Sequence, residues 1–278
     1  MSQKTKSVQI FQTILLLIVS FAMVYPLLWM VSNSFKEAST ILNNPASLMP
    51  DSLDLKYFAG AFELGPIDLW IFNSAVTAFA ITFFQIFLSA LLAYAITYFD
   101  FKGKNFLYVL ILVTYMLPTA ATYVPSYVLI ARMGLYDTLT GVIVSNIASV
   151  FSVFYLIQNF SQMPTEMLEA AKVEGANDWQ VLWRVVMPYN RASVFTTAII
   201  NFIGMYNNYM WPALITSSES KYLISVGLNQ IFTTQGNFST NLPRLMAANT
   251  LAVVPLLIVF FVFQKYFFEG FSSSGTKG

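Results

Sequence analysis

The 278 residues are 57% hydrophobic, 17% aromatic and only 10% charged, whereas a soluble domain carries about 25% charged residues. So little charge cannot keep the surface dissolved in water, and a net charge of +1 offers no basic field to attract nucleic acid. The absence of Cys and His excludes disulfides, thiol nucleophiles, imidazole bases and most zinc sites.

Six stretches are long and apolar enough to cross about 30 Å of hydrocarbon. In chain order they are 10–31, 70–98, 105–130, 138–160, 192–214 and 245–267. They lack the alternation of membrane-barrel strands, so they are read as helices with internally paired backbones. The expected fold is therefore all-α and polytopic, with six transmembrane helices. Lys4 and Lys6 before the first stretch also suit a signal peptide. The apolar run is longer than the ~7–15 residues of a signal core and no small-residue cleavage site follows, so it is read as a retained span.

An even number of spans puts both termini on one side. With the termini in the cytoplasm of a bacterial plasma membrane, nine Lys and Arg residues lie inside and five outside, as the positive-inside rule favours. The short 99–105 connection, FDFKGKN, is then cytoplasmic. Segment 35–69, with Pro45, Pro50 and Pro66, is external, as is the polar 215–244 segment. Segment 161–191 is cytoplasmic, and the terminal FSSSGTKG reads as a flexible tail.

The apolar interiors of the spans hold no ionisable residue, whereas ion-coupled transporters use such groups as relays. Nor is there a phosphate-binding loop, since Gly103–Lys104 lacks the earlier glycine and the following hydroxyl. Energy for uphill transport must therefore enter from a partner. The spans do carry neutral hydrogen-bonding and aromatic groups. The third contains Thr119, Thr122, Tyr123 and Ser126 around Pro118 and Pro125, prolines expected to kink it. The fifth contains Asn201, Tyr206, Asn207, Asn208, Tyr209 and Trp211. Tyr123, Asn201, Tyr206, Asn207 and Asn208 are candidates for a sugar path, because sugars are held by neutral donors, acceptors and aromatic faces. The same residue types also bond one helix to the next or anchor spans at the interface.

Segment 161–191 parses as two short helices. Pro164 suits a first helical position, with Glu166 and Glu169 in the early turns. Gly175 is placed to close that helix in the left-handed conformation. Asn177 and Gln180 match a capping box. Trp179, Leu182, Trp183 and Val186 then form one apolar stripe. Such a hairpin serves either as a docking surface or as an amphipathic element lying on lipid. Its acidic residues outnumber its basic ones, which fits anionic lipid poorly.

The order Glu169-Ala170-Ala171, three residues, Gly175, nine residues, then Val185-Val186-Met187-Pro188 resembles the EAA loop of ABC importer permeases. The family pattern ends I-x-L-P, so Val and Met here are conservative apolar changes. The 35–69 segment, NNYMWP at 207–212 and the last span with its tail resemble carbohydrate-type permeases, the smaller maltose-type subunit in particular.

The resemblance implies a single transport domain over 1–278. Residues 1–69 are its first span and outer loop, 70–268 its core, 161–191 its cytoplasmic coupling loop and 269–278 its cytoplasmic tail. It implies a non-enzymatic subunit that forms half of a translocation path for a sugar or oligosaccharide. Its partners would be a second permease, two ATP-hydrolysing subunits that hold the ATP and Mg, and an extracytoplasmic sugar-binding protein. Glu169 would pair with a basic group of the ATPase, Ala170 and Ala171 would permit close approach, Gly175 would set the interhelix angle, and Pro188 would close the motif. Thr234, Gln235, Gly236 and Asn237 would reach the binding protein, and the tail would contact the ATPase pair. No cofactor or metal is expected on this chain. Permeases for peptides, amino acids or phosphate share the loop and stay open as alternatives, as does a secondary transporter that needs no ATPase.

Overall fold

The computed structural model describes residues 3–234 and 238–275, and among these there are helices but no strands. Two compact units emerge, one from residues 1–68 with 228–254, the other from 69–227 with 255–278.

Three helices are long and apolar enough to cross a membrane: Val8–Asn33, Ile67–Tyr98 and Asn241–Lys265. The other three of the six expected stretches are broken. The third is Lys104–Tyr115 followed by Thr119–Arg132, bent by 100°. Pro118 causes the break. It has no N–H to donate and drives the preceding residue out of the helical region, and it is itself extended, with φ −61° and ψ 122°. Pro125, also expected to kink this stretch, lies within the second segment.

The fourth stretch divides into Leu139–Val144 and Val150–Phe160. Its break is polar. Ser145 Oγ donates to Gly141 O at 2.7 Å and Asn146 Nδ2 to Val142 O at 2.8 Å. Ser149 then caps the next helix by accepting from Ser152 N. The fifth stretch divides into Arg191–Tyr206 and Met210–Ile215. Pro212 falls in the first turn of the second piece, where a missing N–H is tolerated.

In the first unit the Val8–Asn33 helix has no part of its apolar length buried within the chain. Just beyond it the chain folds back tightly. Ser32 Oγ donates to Leu48 O at 2.8 Å, and the buried Lys36 donates its ammonium to Ser47 O. Burial lowers the Lys36 pKa, with Asp51 opposing part of that effect. Arg244 pairs with Glu63 at 3.2 Å.

The core of the second unit joins Ala90, Ala93 and Tyr94 of the Ile67–Tyr98 helix to Leu156 and Phe160 and to Val181 of the 161–191 hairpin. Burying these side chains is worth about 1.5–3 kcal/mol for each large one. The hairpin is thus part of the packed body. Further along, the last helix runs through Gly275, so the expected flexible tail is helical over most of its length.

Candidate functional site

The hairpin begins with the Thr165–Val173 helix, with Pro164 at its N-cap, so the helix starts one residue later than the sequence suggests. Gly175 has φ +87°, and a Cβ there would meet nothing within 4 Å. Backbone conformation alone therefore calls for glycine. Asn177 and Gln180 form the expected capping box. The second helix runs as Asp178–Val181, widens into a π-helical turn over Leu182–Val186, and continues through Met187–Tyr189. Pro188 lies just beyond the wide turn, which relieves the usual clash of a proline ring with the preceding helical turn.

The apolar stripe faces mostly inward. Leu182 and Val186 are buried, and Trp183 stacks on Phe87 with ring centres 5.6 Å apart and planes at 15°. Trp179 is 57% exposed and sets its edge against Trp183. Leu182, Trp183 and Val186 are therefore taken up by packing within the chain, while Trp179 stays open. The open face belongs to the first helix, where Glu166, Glu169, Ala170 and Val173 are exposed and Ala171 is half-buried. Val173, at 88% exposed, is an apolar side chain with no cover.

Polar contacts also clamp the hairpin. Tyr94 donates its hydroxyl to Asp178 Oδ1 at 3.0 Å, Lys172 pairs with the same carboxylate within the hairpin at 3.3 Å, and Tyr98 donates to Phe160 O, just before the hairpin, at 2.6 Å. The ion pair is half-exposed and adds under about 1 kcal/mol. Tyr94 is 4% exposed, so its hydrogen bond counts for more. Tyr94→Phe is expected to destabilise the detergent-purified chain by about 1 kcal/mol, read from its thermal unfolding midpoint.

A second feature is a polar cavity of about 370 Å³ lined by Thr122, Tyr123, Ser126, Asn146, Asn208 and Trp211, among others. All three broken stretches meet there. Thr119 follows the first break, Ser145 and Asn146 form the second, and Asn208 lies in the third. Tyr123 and Trp211 stack at 5.8 Å, and the indole N–H of Trp211 donates to Ser145 Oγ at 2.7 Å. Among the described residues, no charged side chain lines the cavity.

Of the sequence candidates, Tyr123 and Asn208 line this cavity and three others do not. Asn201 is buried and donates to Ser152 Oγ at 2.8 Å. Tyr206 is buried beside Phe202. Asn207 donates back to Ile203 O at 3.0 Å. For Asn201 and Asn207, helix bonding is the role observed. Sequence reasoning missed Ser145 and Asn146, whose signal was an adjacent polar pair inside an apolar run. Gln235, Gly236 and Asn237 lie outside the described residues, and Thr234 is described only as the end of the Ile224–Thr234 helix.

Sequence reasoning also passed over Asp137. Its φ of +56° is in the left-handed region. Its N–H donates to Ile215 O at 2.8 Å, and its carboxylate accepts from Ser217 N at 2.8 Å, Ser218 N at 2.9 Å and the Ser218 hydroxyl. The Ser218 hydroxyl, followed by the two amides, holds the carboxyl at about 2, below its ordinary 3.8. A depressed carboxyl pKa stabilises the fold above pH 3.8, and that contribution is lost as pH falls toward about 2. Acidification from about pH 7 to 5 is therefore expected to leave this clasp intact, read from unchanged hydrogen exchange at Ser217 and Ser218.

The family described as binding-protein-dependent transport system inner membrane component matches residues 85–272. An sn-glycerol-3-phosphate transport system permease protein from Yersinia pestis is 32% identical over 280 residues, covering 99% of each chain. An arabinooligosaccharides transport system permease protein from Halalkalibacterium halodurans is 29% identical, covering 94% of this chain and 93% of the relative. Among solved structures, a chain of a bacterial ABC transporter involved in import of the acidic polysaccharide alginate superposes with a TM-score of 0.78 at 21% identity. That match covers 96% of this chain and 99% of the other, and shows a shared fold.

Proposed function

Because the chain belongs to the family of binding-protein-dependent transport system inner membrane components, we propose that it forms half of the translocation path of an ATP-driven importer of a sugar or oligosaccharide. It carries no chemistry itself. A second permease completes the path, two ATPase subunits dock beneath it, and an extracytoplasmic binding protein delivers the solute. The chain crosses the bilayer six times with both termini in the cytoplasm. The three continuous helices and the bent pair supply four crossings, and the broken 138–160 and 192–214 stretches supply the others.

One observation carries this reading. The 161–191 hairpin is clamped to the Ile67–Tyr98 helix through Trp183, Tyr94 and Val181, while Glu169 and Ala170 stay exposed. A push on the exposed helix is thereby transmitted to a membrane-crossing helix. Closure of an ATPase pair on ATP binding is such a push, and it biases the bundle between two states. Glu169 pairs with a basic group of the ATPase, Ala170 and Ala171 permit close approach, and Gly175 fixes the hairpin angle.

The solute class follows from the cavity. Its hydroxyl and amide walls and the Tyr123–Trp211 pair suit a neutral polyol, and this half of the path offers a phosphate or carboxylate no cation among the described residues. Residues 234–237 contact the binding protein, and the last residues contact the ATPase pair. Co-expression with the adjacent permease, ATPase and binding-protein subunits tests the reading. The complex is expected to co-purify and to take up a radiolabelled sugar in an ATP-dependent way, competed by related sugars. Uptake without any bound ATPase would favour a secondary transporter and overturn it.

A further inference from the structure

One wall of the polar cavity takes part of its support from outside it. Trp211 stands on the Met210–Ile215 helix, six residues long and separated from Arg191–Tyr206 by a break. So short a helix does not hold an orientation by itself. Its far end is held by Asp137, whose N–H takes Ile215 O and whose carboxylate takes both amides and the hydroxyl that follow it at 217 and 218. Asp137 lies between Thr119–Arg132, which carries Tyr123 and Ser126, and Leu139–Val144, which leads to Ser145. One half-buried carboxylate therefore ties together the ends of the helices that place Tyr123, Ser145 and Trp211 around the cavity.

The backbone supports the same conclusion. A left-handed conformation costs a non-glycine residue free energy and persists where the surroundings over-determine it. Glycine would adopt φ +56° without strain yet offer no carboxylate, so the side chain is the reason for aspartate here.

From this geometry we infer that Asp137 is a positioning residue that sets the aperture of the polar cavity by holding Trp211 against Tyr123 and Ser145. It acts through the Met210–Ile215 helix and touches no solute. The significance for transport rests on the cavity being the translocation path, whereas the aperture itself does not.

The chain has no cysteine, so Ser126→Cys places a single thiol in the cavity wall, and its labelling rate by a membrane-impermeant methanethiosulfonate reads the aperture. In the full chain assembled with its partners, Asp137→Gly is expected to raise that rate about tenfold, because all three side-chain bonds to Ser217 and Ser218 are lost. Asp137→Asn keeps an acceptor and tolerates the backbone, so its rate stays within about twofold of the parent. Ser218→Ala removes one donor and gives an increase of about threefold, and it decides the matter if Asp137→Gly does not accumulate in the membrane. Parent-like labelling in both Asp137→Gly and Ser218→Ala overturns the inference, as does an Asp137→Asn rate matching that of Asp137→Gly. Uptake by the parent is measured alongside. Its absence would remove the path reading and leave the labelling result to decide the positioning role.

Discussion

Replacing Glu169 by arginine is expected to abolish solute uptake while the chain still inserts in the membrane at its normal level. Glu169 is exposed on the Thr165–Val173 helix and has no salt-bridge partner among the described residues. Arginine is as good a helix former as glutamate, and the cost of a cation in the early turns of the helix is under about 1 kcal/mol, so the chain itself tolerates the change. The effect is expected at the proposed ATPase interface, where disrupting one member of a buried charge pair costs about 2–5 kcal/mol or more. That is enough to reduce assembly at least about thirtyfold. Co-purification of the ATPase subunits measures the loss directly, and Glu169→Gln is expected to keep part of it. Unchanged uptake in Glu169→Arg would show that coupling enters elsewhere, and the proposal would have to be abandoned.

The largest effect on stability is expected at Gly227. A Cβ added there would lie 2.1 Å from the indole ring of Trp70, a side chain only 1% exposed. Trp70 cannot retreat, because its N–H donates to Glu219 O at 2.9 Å and its ring packs beside Tyr222. Asn73 adds bonds to Ser220 O and Tyr222 O. Gly227→Ala should therefore destabilise the fold by about 3 kcal/mol, at the upper end of overpacking costs. Trp70→Leu makes room for the methyl group, so the double variant should lose clearly less than the sum of the two single changes. Thermal unfolding in detergent measures all three. Strict additivity would mean that the Trp70–Gly227 contact does not set the cost.

Local chemistry made much of this protein legible in its sequence. The hairpin turn was readable because Gly175, Asn177 and Gln180 each act within three or four residues, where conformation and capping are decided by neighbours. The membrane character was readable because desolvating some twenty apolar residues depends on composition alone. Continuity of the spans was not. Hydropathy averages over a window, so Ser145 and Asn146 vanish among the valines and isoleucines around them, although they end a helix. Burial on a particular side was equally hidden. Trp179, Leu182, Trp183 and Val186 form the same stripe whether they meet a partner or their own chain, and only the position of Phe87 separates the two. Asp137 was missed because its donors, Ser217 and Ser218, are eighty residues away along the chain.

The three breaks around one cavity have a consequence for what a solute meets on the way through. In hydrocarbon, irregular backbone is tolerated only where it is buried in protein or lines a water-filled space. Backbone ends at 116–118, 145–149 and 207–209 converge on the space lined by Thr119, Ser145, Asn146 and Asn208, whose polar walls suit water when no solute is present. On the proposed path, a sugar entering this space would trade its water shell for hydroxyls and amides, not for an oily barrier. ATP binding on the proposed partners would then serve mainly to open one side at a time, with little work going into dehydrating the cargo.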